Sequence, residues 1–143
     1  MTLPMQIFWG SVYLTVCCII HVSILAACVE ALQRLFPRDG RPRKLLGMIN
    51  LMLVSLGFII FSHTVQVWLW ARVLIGNDQL QDWNSAVYFS LVSYTSLGYG
   101  DIVLDPGFRV YGAFSSVTGL LAFGLSTAFL VALMSRLLRS RPD

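Results

Sequence analysis

Residues 83–101 read WNSAVYFSLVSYTSLGYGD, and the rest of the chain takes its meaning from them. The first part, residues 83–95, is apolar and aromatic but only 13 residues long. As a helix rising ~1.5 Å per residue it reaches about 20 Å, short of the ~30 Å hydrocarbon core of a bilayer. A length of that kind reads as a buried or re-entrant segment. The second part, Ser96-Leu97-Gly98-Tyr99-Gly100-Asp101, cannot continue a helix. Irregular backbone at membrane depth persists only where protein surrounds it or where it lines a polar path.

Outward from this stretch, the chain is built for lipid. Hydrophobic residues make up 57% and charged residues 12%, with a mean hydropathy of +0.73, against roughly 25% charged in soluble domains. No Asp, Glu, Lys or Arg occurs in residues 1–29, 45–71 or 110–135. Each run exceeds the ~20 apolar residues that a spanning helix needs. Three membrane-spanning helices are predicted, over about residues 5–36, 45–75 and 108–138. The first run lacks a basic start and is longer than the apolar core of a signal peptide, so it reads as a retained span. Pro37 and Gly40 end it, Gly76-Asn77-Asp78 ends the second, and Asp105-Pro106-Gly107 precedes the third.

Charge placement sets the topology. Arg34, Arg38, Arg41, Arg43, Lys44, Arg136, Arg139 and Arg141 hold eight of the ten basic side chains, all flanking spans. The net charge of +3 therefore marks the cytoplasmic side of a membrane and not a nucleic-acid surface. Asp78, Asp82, Asp101 and Asp105 fall between the second and third runs. The expected arrangement is a multi-pass protein of the cell (plasma or inner) membrane, N-terminus outside and C-terminus cytoplasmic. Trp68 and Trp70 suit a headgroup-level anchor. Cys17, Cys18 and Cys28 lack metal-ligand spacing and read as free thiols acting as small hydrophobes.

The glycine spacing carries the chemistry. A dehydrated monovalent cation needs a cage of oxygens, which backbone carbonyls supply if successive residues turn them toward one axis. That backbone requires left-handed torsions at alternate positions, which Gly98 and Gly100 adopt without steric cost. The carbonyls of Ser96, Leu97, Gly98 and Tyr99, with the Ser96 hydroxyl, would then form stacked rings. One chain supplies one wall, so several copies must surround the axis.

The string Thr95-Ser96-Leu97-Gly98-Tyr99-Gly100-Asp101 resembles the potassium-channel selectivity-filter signature. Further along, Arg109, Gly119, Phe123-Gly124-Leu125 and Thr127-Ala128 are similar to the simple two-helix bacterial potassium channels, over roughly residues 62–138. The strings HTVQVWLWA (63–71) and GLSTA (124–128) also resemble small bacterial proteins of the ion-channel family. The resemblance implies an all-α homotetramer, each subunit with three spanning helices and one re-entrant pore helix. It implies a domain division at 1–44 (first helix and basic loop) and 45–143 (pore domain). Within the latter fall an outer helix 45–77, a pore helix and filter 83–101, and an inner helix 108–138. The expected function is passive, selective conduction of K⁺. The ion would bind at Ser96, Leu97, Gly98 and Tyr99, with Gly100 completing the filter and Asp101 at the outer mouth. Gly119 sits at the hinge position of the inner helix. Membrane lipid and further copies of the chain are the expected partners, and no cofactor beyond K⁺ is implied.

Departures from the family pattern bear on the same stretch. Val92 stands where some relatives have a glutamate that pairs with the aspartate after the filter, so Asp101 is expected to lose that partner. Phe89 replaces a tryptophan and cannot donate a hydrogen bond. Gln66 stands where the small bacterial proteins are expected to carry an acid.

Other residues admit two readings. Leu120, Phe123 and Thr127 share a helix face, as a cavity wall or as ordinary packing. Ser115, Gly119, Ala122 and Ser126 form a small-residue stripe suited to close helix approach, and Gly119 serves either packing or bending. His63, Gln66 and Trp70 share a face that reads as a hydrogen-bonded contact to the pore helix or as a proton sensor, the former being expected. The first helix shows no polar stripe of the kind that lines a water path, and is expected to pack outside the pore. The alternatives to a K⁺ channel are a non-selective or divalent-permeable cation channel on this scaffold and a non-conducting membrane subunit. No nucleophile–base arrangement, metal motif or cofactor fingerprint points to an enzyme.

Overall fold

Long charge-free runs leave backbone polar groups no partner in lipid except one another, and helices result. The computed structural model describes residues 1–35 and 45–139. It contains four helices, α1 (Leu3–Leu35), α2 (Leu45–Gly76), α3 (Trp83–Tyr94) and α4 (Arg109–Arg139). Three of them, α1, α2 and α4, are long and apolar enough to cross a membrane. The 12-residue α3 is not. Bounds agree with the sequence expectation to within about two residues. The turn at Pro37 and Gly40, the basic residues Arg38, Arg41, Arg43 and Lys44, and Arg141 lie outside the described residues.

Contacts along the helices give their directions. Gln6 of α1 meets the first turn of α4, Gly10 lies beneath the Phe114 ring, and His21 meets Ser126. The two helices therefore run parallel. His21 also meets Ser62, and Leu32 packs in one cluster with Leu51 and Leu137, so α2 runs antiparallel to both. Met1 and Asp101 thus share one end of the molecule, and Arg34 and Arg136 share the other.

Helix ends are fixed by specific partners. Leading into α3, Asp82 accepts the Ser85 backbone N–H at 2.9 Å, satisfying one of its orphan donors. The first turn of α4 is capped from another helix, because the Gln6 side-chain oxygen accepts from the N–H of Val110 at 3.1 Å and of Tyr111 at 3.4 Å. Closing α2, Asp78 N–H donates to Ile75 O and Gln79 N–H to Leu74 O, both at 3.0 Å, a Schellman cap. The left-handed residue of that cap is Asp78 (φ 55°), not a glycine.

Two apolar clusters hold the bundle. Near the Met1 end, Trp70 sits against Tyr13 and Tyr111 at ring-centroid distances of 5.8 and 5.6 Å, which joins α1, α2 and α4. Near the other end, Cys28, Leu32, Leu51 and Leu137 pack together. Trp70 is fully buried whereas Trp68 is half exposed. Only Trp68 fits the expected interfacial anchor, and Trp70 is core. All three cysteines are free, with Cys17 and Cys28 buried.

The small-residue stripe of α4 is buried as expected. Ser115, Ala122 and Ser126 are each 5% exposed or less, and a Cβ built on Gly119 overlaps the Tyr94 carbonyl oxygen. The buried face of the first helix includes two separated polar residues, Gln6 and His21, each hydrogen-bonded to a neighbouring helix. Gly119→Ala should lower stability by about 1–3 kcal/mol, the usual cost of forcing atoms into a packed site. Gly57→Ala, where a Cβ meets nothing within 4 Å, should raise it by about 0.5–1 kcal/mol through helix propensity. Thermal unfolding of both variants in detergent checks the pair, and equal effects would contradict the close-approach account.

Candidate functional site

The α3 helix descends from the Met1 end, where the Trp83 ring packs against Trp68 at a centroid distance of 5.6 Å and a tilt of 42°, to the level of His63 and Gly119. At its foot the chain reverses and returns as residues 95–101. Helix propagation stops because Thr95, still right-handed at φ −82°, is followed by Ser96 at φ 59°. Gly98 and Gly100 are also left-handed, at 57° and 77°. Left-handed torsions therefore recur at every second position, 96, 98 and 100. The two glycines match the sequence expectation, and Ser96 extends the alternation by one residue.

This backbone turns successive N–H groups the same way. Ser96 N–H donates to Ser93 O at 2.9 Å, and the N–H groups of Leu97 and Gly98 both donate to Val92 O at 2.9 and 3.3 Å. All three point back at the last turn of α3. That turn is itself braced by α4, since Ser116 donates to Ser93 O at 2.7 Å. The far side of the segment is open. Leu97 is 55% and Tyr99 67% exposed, and a Cβ on Gly98 or Gly100 would meet nothing within 4 Å.

At the top of the return, the Tyr88 hydroxyl donates to the Asp101 carboxylate at 2.6 Å. Sequence reasoning saw that Val92 cannot pair with Asp101 and missed the donor one turn earlier on α3. Only the spatial return of the chain puts residues 13 positions apart side by side. The Tyr88 hydrogen bond holds the Asp101 carboxyl below its ordinary range. Asp105 and Gln79 meet beside it, Asp105 N–H donating to the Gln79 side-chain oxygen at 3.3 Å.

The other sequence candidates fall in two groups. Leu120, Phe123 and Thr127 are exposed on α4, and the Phe123 ring also packs on His63 and Tyr94 at centroid distances of 4.6 and 5.7 Å. His63 behaves as expected, since its Nδ1 lies 2.8 Å from the Tyr94 hydroxyl of α3. Gln66 does not reach α3, and meets His21 of α1 at 3.1 Å instead. Trp70 packs on Tyr13 and Tyr111. Among the described residues, no group of His, Cys, Asp and Glu could hold a metal ion.

Comparison with known proteins agrees with this geometry. A family model described as "Ion channel" matches residues 48–136, from α2 through the α3 return to α4. This chain is a member of the ion-channel family. Over 110 residues it is 26% identical to the A-type voltage-gated potassium channel KCND3 of rat and of human, an overlap covering 71% of this chain and 17% of each relative. The chain thus spans about a sixth of the length of these curated relatives. No solved structure matches it. The resemblance to potassium-channel pore domains agrees with both findings. Membership also accounts for the two long apolar helices inside the match, α2 and α4, and points to a transporter-type protein of the membrane.

The Asp101 contact yields a pH expectation. A carboxylate with a lowered folded-state pKa contributes above its unfolded value and loses that contribution as pH falls through the lowered one. The Tyr88–Asp101 bond should therefore persist at pH 5 and weaken only below about pH 4. In Tyr88→Phe the Asp101 titration should return to the ordinary carboxylate range. Carboxyl-carbon NMR of the labelled protein reads both midpoints, and unchanged midpoints would contradict the assignment of the shift to Tyr88.

Proposed function

We propose that the chain is one subunit of a homotetrameric, potassium-selective channel that conducts K⁺ passively through a filter formed by residues 96–100. The observation that carries this reading is the left-handed torsion at Ser96, Gly98 and Gly100, combined with N–H groups of 96, 97 and 98 all turned to α3. A strand whose donors face one side is free to aim its carbonyls at the other. Carbonyl rings of Ser96, Leu97, Gly98 and Tyr99 then replace the water shell of K⁺. The exposure of Leu97 and Tyr99 supports covering by other copies, and fourfold cyclic closure is the arrangement that completes a cage from four walls.

In that assembly α2 is the outer helix and α3 the re-entrant pore helix, whose partly negative C-terminal end favours a cation in the cavity below. The inner helix is α4, with Leu120, Phe123 and Thr127 on the cavity wall and Gly119 at its hinge position. Asp101 sits at the outer mouth, where a ring of acids concentrates cations. The N-terminus lies outside and the C-terminus is cytoplasmic, in a cell membrane whose lipid covers the outer faces.

Gly98→Ala and Gly100→Ala should each abolish selective K⁺ conduction. A methyl group at a left-handed position costs about 1–2 kcal/mol, and four copies of that cost reach roughly 4–8 kcal/mol. Ser96→Ala removes a hydroxyl but no carbonyl, and should keep K⁺ preference with a weaker innermost site. Reversal potentials with K⁺ on one side of a bilayer and Na⁺ on the other distinguish the cases. Wild-type current that carries Na⁺ or a divalent ion as readily as K⁺ would replace this reading with a non-selective channel. A monomer or dimer as the sole conducting species in mild detergent would refute the tetramer.

A further inference from the structure

Four helices meet in one buried polar chain. His21 Nδ1 lies 2.8 Å from Ser62 Oγ and 3.1 Å from Gln66 Nε2. Ser126 Oγ lies 3.2 Å from His21 Nε2 and 3.3 Å from His63 Nε2. His63 Nδ1 reaches the Tyr94 hydroxyl at 2.8 Å. Hydrogen-bond direction follows from the end that has no choice. An amide nitrogen only donates, so His21 Nδ1 accepts from Gln66, and the Ser62 hydroxyl donates to it as well. His21 Nε2–H then donates to Ser126, whose hydroxyl donates to His63 Nε2. In the order that runs one way along the chain, His63 Nδ1–H donates to Tyr94. With Gln66 donating to its Nδ1, His21 is neutral, accepting at Nδ1 and donating at Nε2.

The far end of this chain is the foot of the return segment. Tyr94 is 1% exposed, its carbonyl is pressed against Gly119, and Thr95 and Ser96 follow it directly. We propose that His63 and Tyr94 are positioning residues for the filter and that His21, through Ser126, ties α1 to the same point. The proposal rests on the reading of residues 96–100 as a filter. It gives α1 a task, holding the junction of α3 and α4 in register from outside.

Acid is the natural probe. The sequence contains two histidines, and both are in this chain, their rings 5.4 Å apart. Against their rings lie Ser62 and Gln66 from α2, Tyr94 from α3, and Ser126 and Phe123 from α4, while Cys17 and Cys18 precede His21 by one turn on α1. No Asp, Glu, Lys or Arg occurs in residues 1–29, 45–71, 83–94 or 110–135, so no charge is present to offset a second proton. A proton on His21 Nδ1 meets the Gln66 amide, which only donates, and that contact is lost.

The experiment compares open probability of single channels in K⁺, at pH 7.5 and pH 5, for wild type, Tyr94→Phe, His63→Leu, the Tyr94→Phe/His63→Leu double, His63→Asn and the His21→Asn/His63→Asn double. Each of Tyr94→Phe and His63→Leu should lower open probability roughly two- to tenfold, the usual range for one buried hydrogen bond. Their double should fall no further than the larger single. His63→Asn, whose amide N–H takes the place of Nδ1–H, should recover most of the loss. Wild type should lose open probability between pH 7.5 and 5, and the double Asn variant should lose that acid response. Additive losses, failure of His63→Asn to rescue, or an acid response that survives without either histidine would overturn the proposal. Equal K⁺ and Na⁺ permeability of wild type would overturn the potassium reading alone, because the coupling is read from open probability and not from ion preference. A wild type that passes no current would overturn both.

Discussion

At the crossing of α3 and α4 the backbone of one helix lies against a carbonyl of the other, with no room for a side chain between them. Gly119 makes that approach possible, and Ser115, Ala122 and Ser126 continue the buried face along α4. Much of the rest depends on it. The approach lets Ser116 reach Ser93 O, which fixes the last turn of α3. That turn offers Val92 O and Ser93 O to the N–H groups of the return segment. Two turns further along the same face of α4, Ser126 meets both histidines. Without a hydrophobic driving force between helices in lipid, close packing of small residues and buried hydrogen bonds are the terms left to hold a bundle together.

The elements that arise from local chemistry were legible in the sequence. Charge-free runs gave α1, α2 and α4, the short aromatic stretch gave α3, and paired glycines gave the left-handed positions at 98 and 100. The small-residue stripe was visible as a period on one helix. The face of α4 that carries Leu120, Phe123 and Thr127 was visible in the same way, although its surroundings were not.

Features that depend on which helix lies beside which were not legible. His21 and Ser126 are 105 residues apart, and no periodicity relates them. Trp68 and Trp70 look alike in sequence, yet a two-residue step is about 200° around a helix, which puts one in the core and the other outside. The donor to Asp101 was missed for a similar reason, since attention fell on Val92 while Tyr88 lies one turn earlier on α3. Asp78 as the left-handed cap of α2 was hidden by the adjacent Gly76, the residue type that usually takes that role.

The alternation at 96, 98 and 100 also changes what the segment is able to pair with. An ordinary β-strand presents donors and acceptors in turn along each edge, and two such edges zip together. Here three successive N–H groups lie on one edge and are already taken by α3. An ordinary strand approaching from either side finds no ladder to complete. A stretch that is exposed, partly apolar and irregular would otherwise be a template for edge-to-edge association. The same torsions that order its carbonyls leave it a poor seed for aggregation while the chain is still alone.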